Sequence, residues 1–334
     1  MPTDWKDLLA DALPTGVVVQ ASLPARPVQA GSPHHNASAP QHTTDTRLTA
    51  PATREELRQW CKQWLDVALP KAAVCPHHDT PLDYLEYVFF ERGDSDPLIW
   101  ACRGGGKTLL GAVATLLDML FKPGIDIRIL GGSQAQSDRM YEHLVRMVES
   151  RFRDQMVRGG RRSRMTQSGF VFANGSRVEL LGQSETSVRG ARVQKVRCDE
   201  VDLFDPKVWD AVQLTTRSKP GRAEGGSTIR GTIEAFSTMN GPSGVMSKLI
   251  KDGRRKRFTW CVWDVIEKCQ EECRTCILSP DCKEKARQAE GFIPVSDVRT
   301  MRERVGDRTW QYEVLCDGGG AGGSKGWRLE QRIY

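Results

Sequence analysis

No stretch of this 334-residue chain approaches 18 consecutive apolar residues, so the sequence offers no transmembrane helix and implies no membrane partner. The N-terminus lacks the basic-then-apolar layout of a secretory signal, which makes the cytoplasm the expected address. No internal repeat is visible, which argues against a repeat array. Ten cysteines would suit a disulfide scaffold only in a secreted chain. Six of them fall between positions 261 and 316, so metal binding is the better expectation. One further absence is local. The phosphate-loop pattern G-x-x-x-x-G-K-[ST] wants glycine where this chain has Ala101.

What surrounds that position is the most informative segment of the chain. A short apolar run, Leu98–Ala101, leads through Arg103 into Gly104, Gly105 and Gly106, then Lys107 and Thr108. An apolar helical pattern follows at Leu109, Leu110, Val113, Leu116, Leu117 and Leu120. Strand, glycine loop and helix in that order are the context in which a P-loop makes physical sense. Glycines let backbone N–H groups turn toward phosphate oxygens, and the helix N-terminus adds its positive end. Lys107 would reach the β- and γ-phosphates of ATP, and the Thr108 hydroxyl would ligate Mg²⁺.

The remaining pattern predicts one large α/β domain with tails. With 27% charged and 39% hydrophobic residues the composition is ordinary for a soluble protein. Residues 1–52 read as a disordered N-terminal tail rich in Pro, Ala, Ser and Thr, with one amphipathic pattern behind Thr3. Thr53 and Glu56 make a capping-box pattern that opens a helix carrying Leu57, Trp60, Trp64 and Leu65. Cys75, Pro76, His77 and His78 precede a second helix. Lacking an obvious fourth ligand, they read as a structural turn rather than a metal site. Ile125–Leu130 predicts a strand feeding a helix from Gln136 to about Phe152. Phe170–Phe172, Asn174-Gly175 and Val178–Leu181 predict a hairpin, and Thr232–Phe236 another strand. The net charge of +6 is unevenly placed. Arg158, Arg161, Arg162 and Arg164 form one basic cluster, and Lys251, Arg254, Arg255, Lys256 and Arg257 another; either could track a phosphate backbone.

Hydrolysis needs carboxylates as well as a phosphate loop. Asp199 and Glu200, at the end of the stretch Val193–Cys198, fit both roles: Asp199 toward Mg²⁺ and Glu200 toward the attacking water. Lys195 and Arg197 make that strand less apolar than usual.

Taken in order, these segments resemble the large terminase subunits of tailed bacteriophages, the motors that pump DNA into capsids. Arg103-Gly104-Gly105-Gly106-Lys107-Thr108 resembles the family's P-loop variant with an arginine in the loop. Cys75-Pro76-His77-His78 with Leu82-Asp83-Tyr84-Leu85, Gly131-Gly132-Ser133-Gln134, and Ser187-Val188-Arg189-Gly190 resemble further family segments. So do Arg197-Cys198-Asp199-Glu200-Val201-Asp202 and Ser237-Thr238; together they cover roughly residues 75–316. The resemblance implies Lys107 and Thr108 on phosphate and Mg²⁺, and Arg103 as an internal γ-phosphate sensor. It implies Asp199 as the metal carboxylate, Glu200 as the catalytic one, and Ser237 and Thr238 as coupling residues. Arg189 is a further candidate near the γ-phosphate, and Arg139 or Arg151 could serve a neighbouring subunit. The implied partners are double-stranded DNA, a small terminase subunit, a capsid portal and copies of the chain in a ring, within the host cytoplasm.

Cys269, Cys273, Cys276 and Cys282 form a dense group whose thiolates could close around Zn²⁺ or hold a [4Fe–4S] cluster; Cys261 or Cys316 could replace Cys269. The expected organisation is a tail at 1–52, a P-loop ATPase motor at 53–258, a cysteine-rich lid or linker at 259–316, and a glycine-rich tail at 317–334. The nuclease domain usual in that family is not expected here, and neither is nuclease activity. Two other functions compete with the motor: a helicase-like translocase, and a prophage remnant that binds DNA or packaging partners without turnover.

Overall fold

A computed structural model describes residues 48–157, 165–182, 184–221, 228–239 and 244–317. The amphipathic pattern behind Thr3, the cluster Arg158, Arg161, Arg162 and Arg164, and the expected tail beyond Asp317 lie outside the described residues. Helix α1 (Arg54–Leu65) starts where the sequence places it. The Thr53 hydroxyl accepts from Glu56 N, while the Glu56 carboxylate reaches back one residue further, to Ala52 N. Helix α2 (Pro81–Phe89) has a complete capping box between Thr80 and Asp83 and a proline in its first turn.

The core is a seven-stranded sheet in which β1 (Pro97–Ala101), β2 (Asp126–Gly131), β3 (Gly169–Val171), β4 (Arg177–Leu180), β5 (Lys195–Asp199), β6 (Thr232–Ser237) and β7 (Lys256–Trp260) lie in the order β3-β4-β2-β5-β6-β1-β7. Every neighbouring pair is parallel except β3 with β4, the hairpin expected from Asn174-Gly175. Gly175 turns that hairpin at φ +84°, a conformation a side chain would resist. Parallel strands need crossovers, and α3 (Lys107–Phe121) and α4 (Gln134–Met147) supply them, followed by shorter α5 (Glu185–Arg189), α6 (Pro206–Val212) and α7 (Val245–Asp252). Strands β1, β5 and β6 are buried at every position, as strands covered on both faces must be. The fold class is the expected one: mixed α/β around a mostly parallel sheet. Among the described residues no helix is long and apolar enough to cross a membrane.

Two features differ from the sequence expectation. The basic stretch Lys251–Arg257 is not one surface cluster: Lys251 lies in α7, and Lys256 and Arg257 open β7, paired residue for residue with β1. Between them Arg254 pairs with Asp252, and Arg255 stacks on Trp209 while donating to Ile233 O. In addition β7 runs across the expected 258/259 boundary, and the segment after it, with α8 (Val262–Val265), α9 (Ser279–Cys282) and α10 (Val295–Arg304), folds back over the glycine loop at 104–106. Ile293 Cδ1 and Phe292 Cζ stand where side chains on Gly104 and Gly106 would meet them.

The polar residues in β5 are buried rather than exposed. Arg197 is fully buried and donates to Asp118 of α3 at 2.6 Å and to Glu234 of β6 at 3.1 Å. Its third nitrogen, Nη1, donates to Thr115 Oγ1, and Tyr84 of α2 donates to Glu234 at 2.7 Å. Lys122 bonds Asp118 and Glu91, and Lys195 lies 3.5 Å from Glu91. Three cations and three carboxylates thus close a network between α3 and two central strands.

Candidate active site

The site is assembled at the carboxyl ends of parallel strands, where loops leave the sheet. Ala101 is the last residue of β1, paired with Trp260 and fully buried in the extended ladder, so the position that usually carries glycine needs none here. The turn follows at Gly104 (φ +74°) and Gly106 (φ +80°), and Gly106 is the N-cap of α3 with no side-chain hydrogen bond capping the helix end. The first N–H groups of α3 therefore face outward, an arrangement suited to an anion. The Trp260 indole donates to Gly105 O at 2.8 Å and fixes the loop from behind.

Lys107 is buried, its ammonium donating to the carbonyls of Ala101 and Cys102 at 3.3 and 3.1 Å. Thr108 Oγ1 donates to Asp199 Oδ2 at 2.8 Å, although β6 lies between β1 and β5 in the sheet. Asp199 is buried, and its other oxygen, Oδ1, has no hydrogen-bond partner. Burial, then the charge of Glu200, push its carboxyl up to about 7, against the pull of Thr108 and Lys107. A buried carboxylate oxygen without a partner beside a threonine hydroxyl is a donor set that fits Mg²⁺.

Glu200 follows in the left-handed region (φ 54°), unusual for a residue with a side chain and found at strained functional turns. Its Oε2 accepts from Ser237 Oγ at 3.1 Å. Ser237 Oγ also accepts from Asp202 N, and Asp202 Oδ1 accepts from Met246 N in α7. The two carboxylates sit at one edge because β5 and β6 pair in register, Asp199 opposite Phe236. Gly132 closes the other side: a Cβ there would lie 2.8 Å from Glu200 O.

One cleft of about 810 Å³, including its space open to solvent, is lined by Arg103, Gly104, Gly105, Gly106, Lys107, Thr108, Glu200 and Thr238. Of the candidates named from sequence, Asp199 sits beneath it through Thr108 and Ser237 joins through Glu200. Arg103 reaches the cleft but is half-exposed and paired elsewhere, its guanidinium on Glu313 Oε2 at 2.5 and 2.8 Å. Arg139 lines the cleft of its own chain together with Glu142, His143 and Arg146 from α4, whereas Arg151 and Arg189 do not. Sequence reading missed Glu142, His143 and Arg146. The available signal was their spacing from Arg139, which puts all four on one helical face.

The cysteines separate into two groups. Cys269, Cys273, Cys276 and Cys282 line one small cavity, with Arg287 3.6 Å from Cys273 Sγ and Arg299 3.9 Å from Cys276 Sγ. Among the described residues these four do not form a group whose ligand atoms all lie within 4.8 Å of one another, whereas Cys75, His78, Cys261 and Asp264 do. Cys261 Sγ faces Cys75 Sγ at 3.4 Å, and Cys316 Sγ is turned to Trp260 O.

No protein-family model matches the chain, and no curated protein matches it either. Solved structures do. The large terminase of bacteriophage HK97 superposes with a TM-score of 0.52 at 14% identity, over 78% of this chain and 54% of that one. A looser match is the large terminase of a thermophilic bacteriophage in complex with ADP (TM-score 0.45, 13% identity, 69% and 52% covered). The ATPase domain of the Thermus phage P74-26 large terminase also matches (TM-score 0.41, 14% identity, 73% and 94% covered). The chain spans about half the length of the first two of these proteins. Its fold is the α/β fold found in the HK97 bacteriophage large terminase.

Proposed function

We propose that this chain is the ATP-hydrolysing motor of a phage DNA-packaging terminase, coupling hydrolysis to movement of double-stranded DNA into a procapsid. The observation that carries the ATPase reading is the 2.8 Å contact between Thr108 and Asp199, with Asp199 Oδ1 left for a metal, under a glycine loop that caps a helix. In this reading the N–H groups of Gly104, Gly105, Gly106 and Lys107 cradle the phosphates; Gly105 N would have to leave Cys102 O, to which it donates at 3.0 Å, and the Lys107 ammonium its two carbonyls. Thr108 and Asp199 would hold Mg²⁺, which neutralises charge on the phosphates when bound. Glu200, oriented by Ser237, orients the attacking water and accepts its proton. Arg103 moves from Glu313 to the γ-phosphate. Ser237, through Asp202 to α7, gives a route by which the state of the site reaches the rest of the molecule, and Thr238 lines the cleft beside it.

The packaging context is supported by the shared fold and by the ordered motif set; DNA, a small terminase subunit, a portal and a ring of identical chains are the partners it implies. Cys269, Cys273, Cys276 and Cys282 would take Zn²⁺ or [4Fe–4S] only if their sulfurs draw together around the cavity they share. The test is ATP turnover by the purified chain with and without duplex DNA, beside Glu200→Gln. Turnover stimulated by DNA and abolished by that substitution supports the motor. Absence of turnover in every condition would favour a remnant that binds without hydrolysis, and strand displacement would favour a helicase-like translocase.

A further inference from the structure

Behind the phosphate loop, four residues from two distant segments meet. Cys75 and His78 precede α2; Cys261 and Asp264 follow β7, 186 residues later in the chain. Both pairs have the same spacing, two residues between the donors. Cys261 is the N-cap of α8 and Asp264 its capping partner, so that half of the site is fixed by the helix start. The other half is fixed by Asp264 itself, whose Oδ1 accepts from Val74 N and Cys75 N, both at 2.9 Å. The thiols of Cys75 and Cys261 face each other at 3.4 Å, and His78 Nδ1 lies 2.6 Å from Asp264 Oδ2. Cys261 and Asp264 are buried; Cys75 and His78 are partly open to solvent, which leaves an entry side.

We propose that Cys75, His78, Cys261 and Asp264 form a structural zinc site. Two thiolates, one imidazole and one carboxylate make a four-coordinate set that suits Zn²⁺ and excludes the hard cations, which take oxygen alone. Bonds of about 2.0–2.3 Å in a tetrahedron separate neighbouring ligand atoms by about 3.3–3.8 Å. The two sulfurs are already near that spacing. The imidazole and carboxylate must part by somewhat less than about 1 Å, an opening driven when the metal replaces the proton they share. The site would pin the segment before α2 to the end of β7. That end supports the phosphate loop directly: Cys102 N donates to Trp260 O, and the Trp260 indole holds Gly105.

The experiment must separate this site from the four cysteines at 269, 273, 276 and 282. The full chain is loaded with Cd²⁺ alone and observed by ¹¹³Cd NMR, in which a two-sulfur site resonates apart from an all-sulfur one. The expected result is a two-sulfur resonance that disappears in Cys75→Ser and persists in Cys276→Ser. A chain giving no resonance outside the all-sulfur range, or one whose two-sulfur signal survives Cys75→Ser, overturns the proposal. Alkylation of the unmodified chain gives an independent check that needs no substitution. Zn²⁺ should shield Cys75, the member of the thiol pair that is partly open to solvent, from labelling, at least tenfold in rate. Equal labelling with and without Zn²⁺, or recovery of the two residues as a disulfide from reducing conditions, is likewise incompatible with a zinc site.

Discussion

Replacing Arg197 by methionine removes a fully buried guanidinium while keeping most of the side-chain volume. Its partners are equally hidden: Asp118 is 1% and Glu234 0% exposed. Removing one member of a buried ion pair costs about 3–5 kcal/mol, because the charge left behind is desolvated and uncompensated. Here the two carboxylates fare differently. Asp118 keeps Lys122 at 2.8 Å, whereas Glu234 keeps the Tyr84 hydroxyl, a neutral donor. Most of the loss should therefore fall on Glu234, and adding Glu234→Gln to Arg197→Met should recover about half of it. With a urea slope of about 3 kcal/mol per molar, the single variant's midpoint falls by about 1–2 M. The pH dependence has a definite sign. In the natural chain the cations around it hold the Asp118 carboxyl well below the usual range despite burial, so its contribution is complete above about pH 4 and fades as pH falls further. In Arg197→Met the stranded Glu234 gains affinity for a proton, so the deficit is largest near pH 8 and narrows toward pH 5. Urea melts of the three proteins at pH 8, 7, 6 and 5 measure this. A midpoint unchanged at pH 7, or a deficit that does not vary with pH, would refute the idea that the network is a closed charge balance.

The site predicts further outcomes. Glu313→Ala releases Arg103 from an ion pair whose arginine is half-exposed and solvent-screened, worth about 1 kcal/mol, so ATP should bind up to about fivefold tighter in calorimetry; weaker binding would sink the proposed swing of Arg103. Ser237→Ala removes the bond that orients Glu200, and steady-state assays should show kcat lowered about tenfold with KM little changed; a change in KM alone would argue for a role in binding instead. Gly132→Ala forces a methyl to within 2.8 Å of Glu200 O, and turnover should fall at least tenfold while circular dichroism stays native; full activity would mean that the Glu200 turn has slack.

How much of this could be seen in the sequence depends on how far apart the partners are. The segment β1–loop–α3 is legible because strand, glycines, Lys107 and an apolar helical period are contiguous, and β2, the hairpin and β6 follow from equally local patterns. Asp199 and Glu200 were legible as a pair at a strand end. Their meeting with Thr108 and Ser237 was not, since strand order is set by long-range packing. Strand β7 was hidden by its own charge: Lys256 and Arg257 are exposed, and only Phe258–Trp260 turn inward. Lys195 and Arg197 looked like interruptions because their carboxylate partners lie on other elements. His78 and Cys75 looked unaccompanied for the same reason, and Glu313 is 210 residues from Arg103.

The placement of β6 between β1 and β5 has a mechanical side. The phosphate loop, Asp199 and Ser237 leave three adjacent strands that run the same way, each laced to the next along its buried length. A pull along those strands loads all the rungs of a ladder at once instead of opening them one after another. Under the proposed function, whatever moves when the nucleotide changes would hang outside it, on the segments that cross the strand ends: Glu313 pairs with the cleft residue Arg103, and α7 reaches Glu200 only through Asp202 and Ser237.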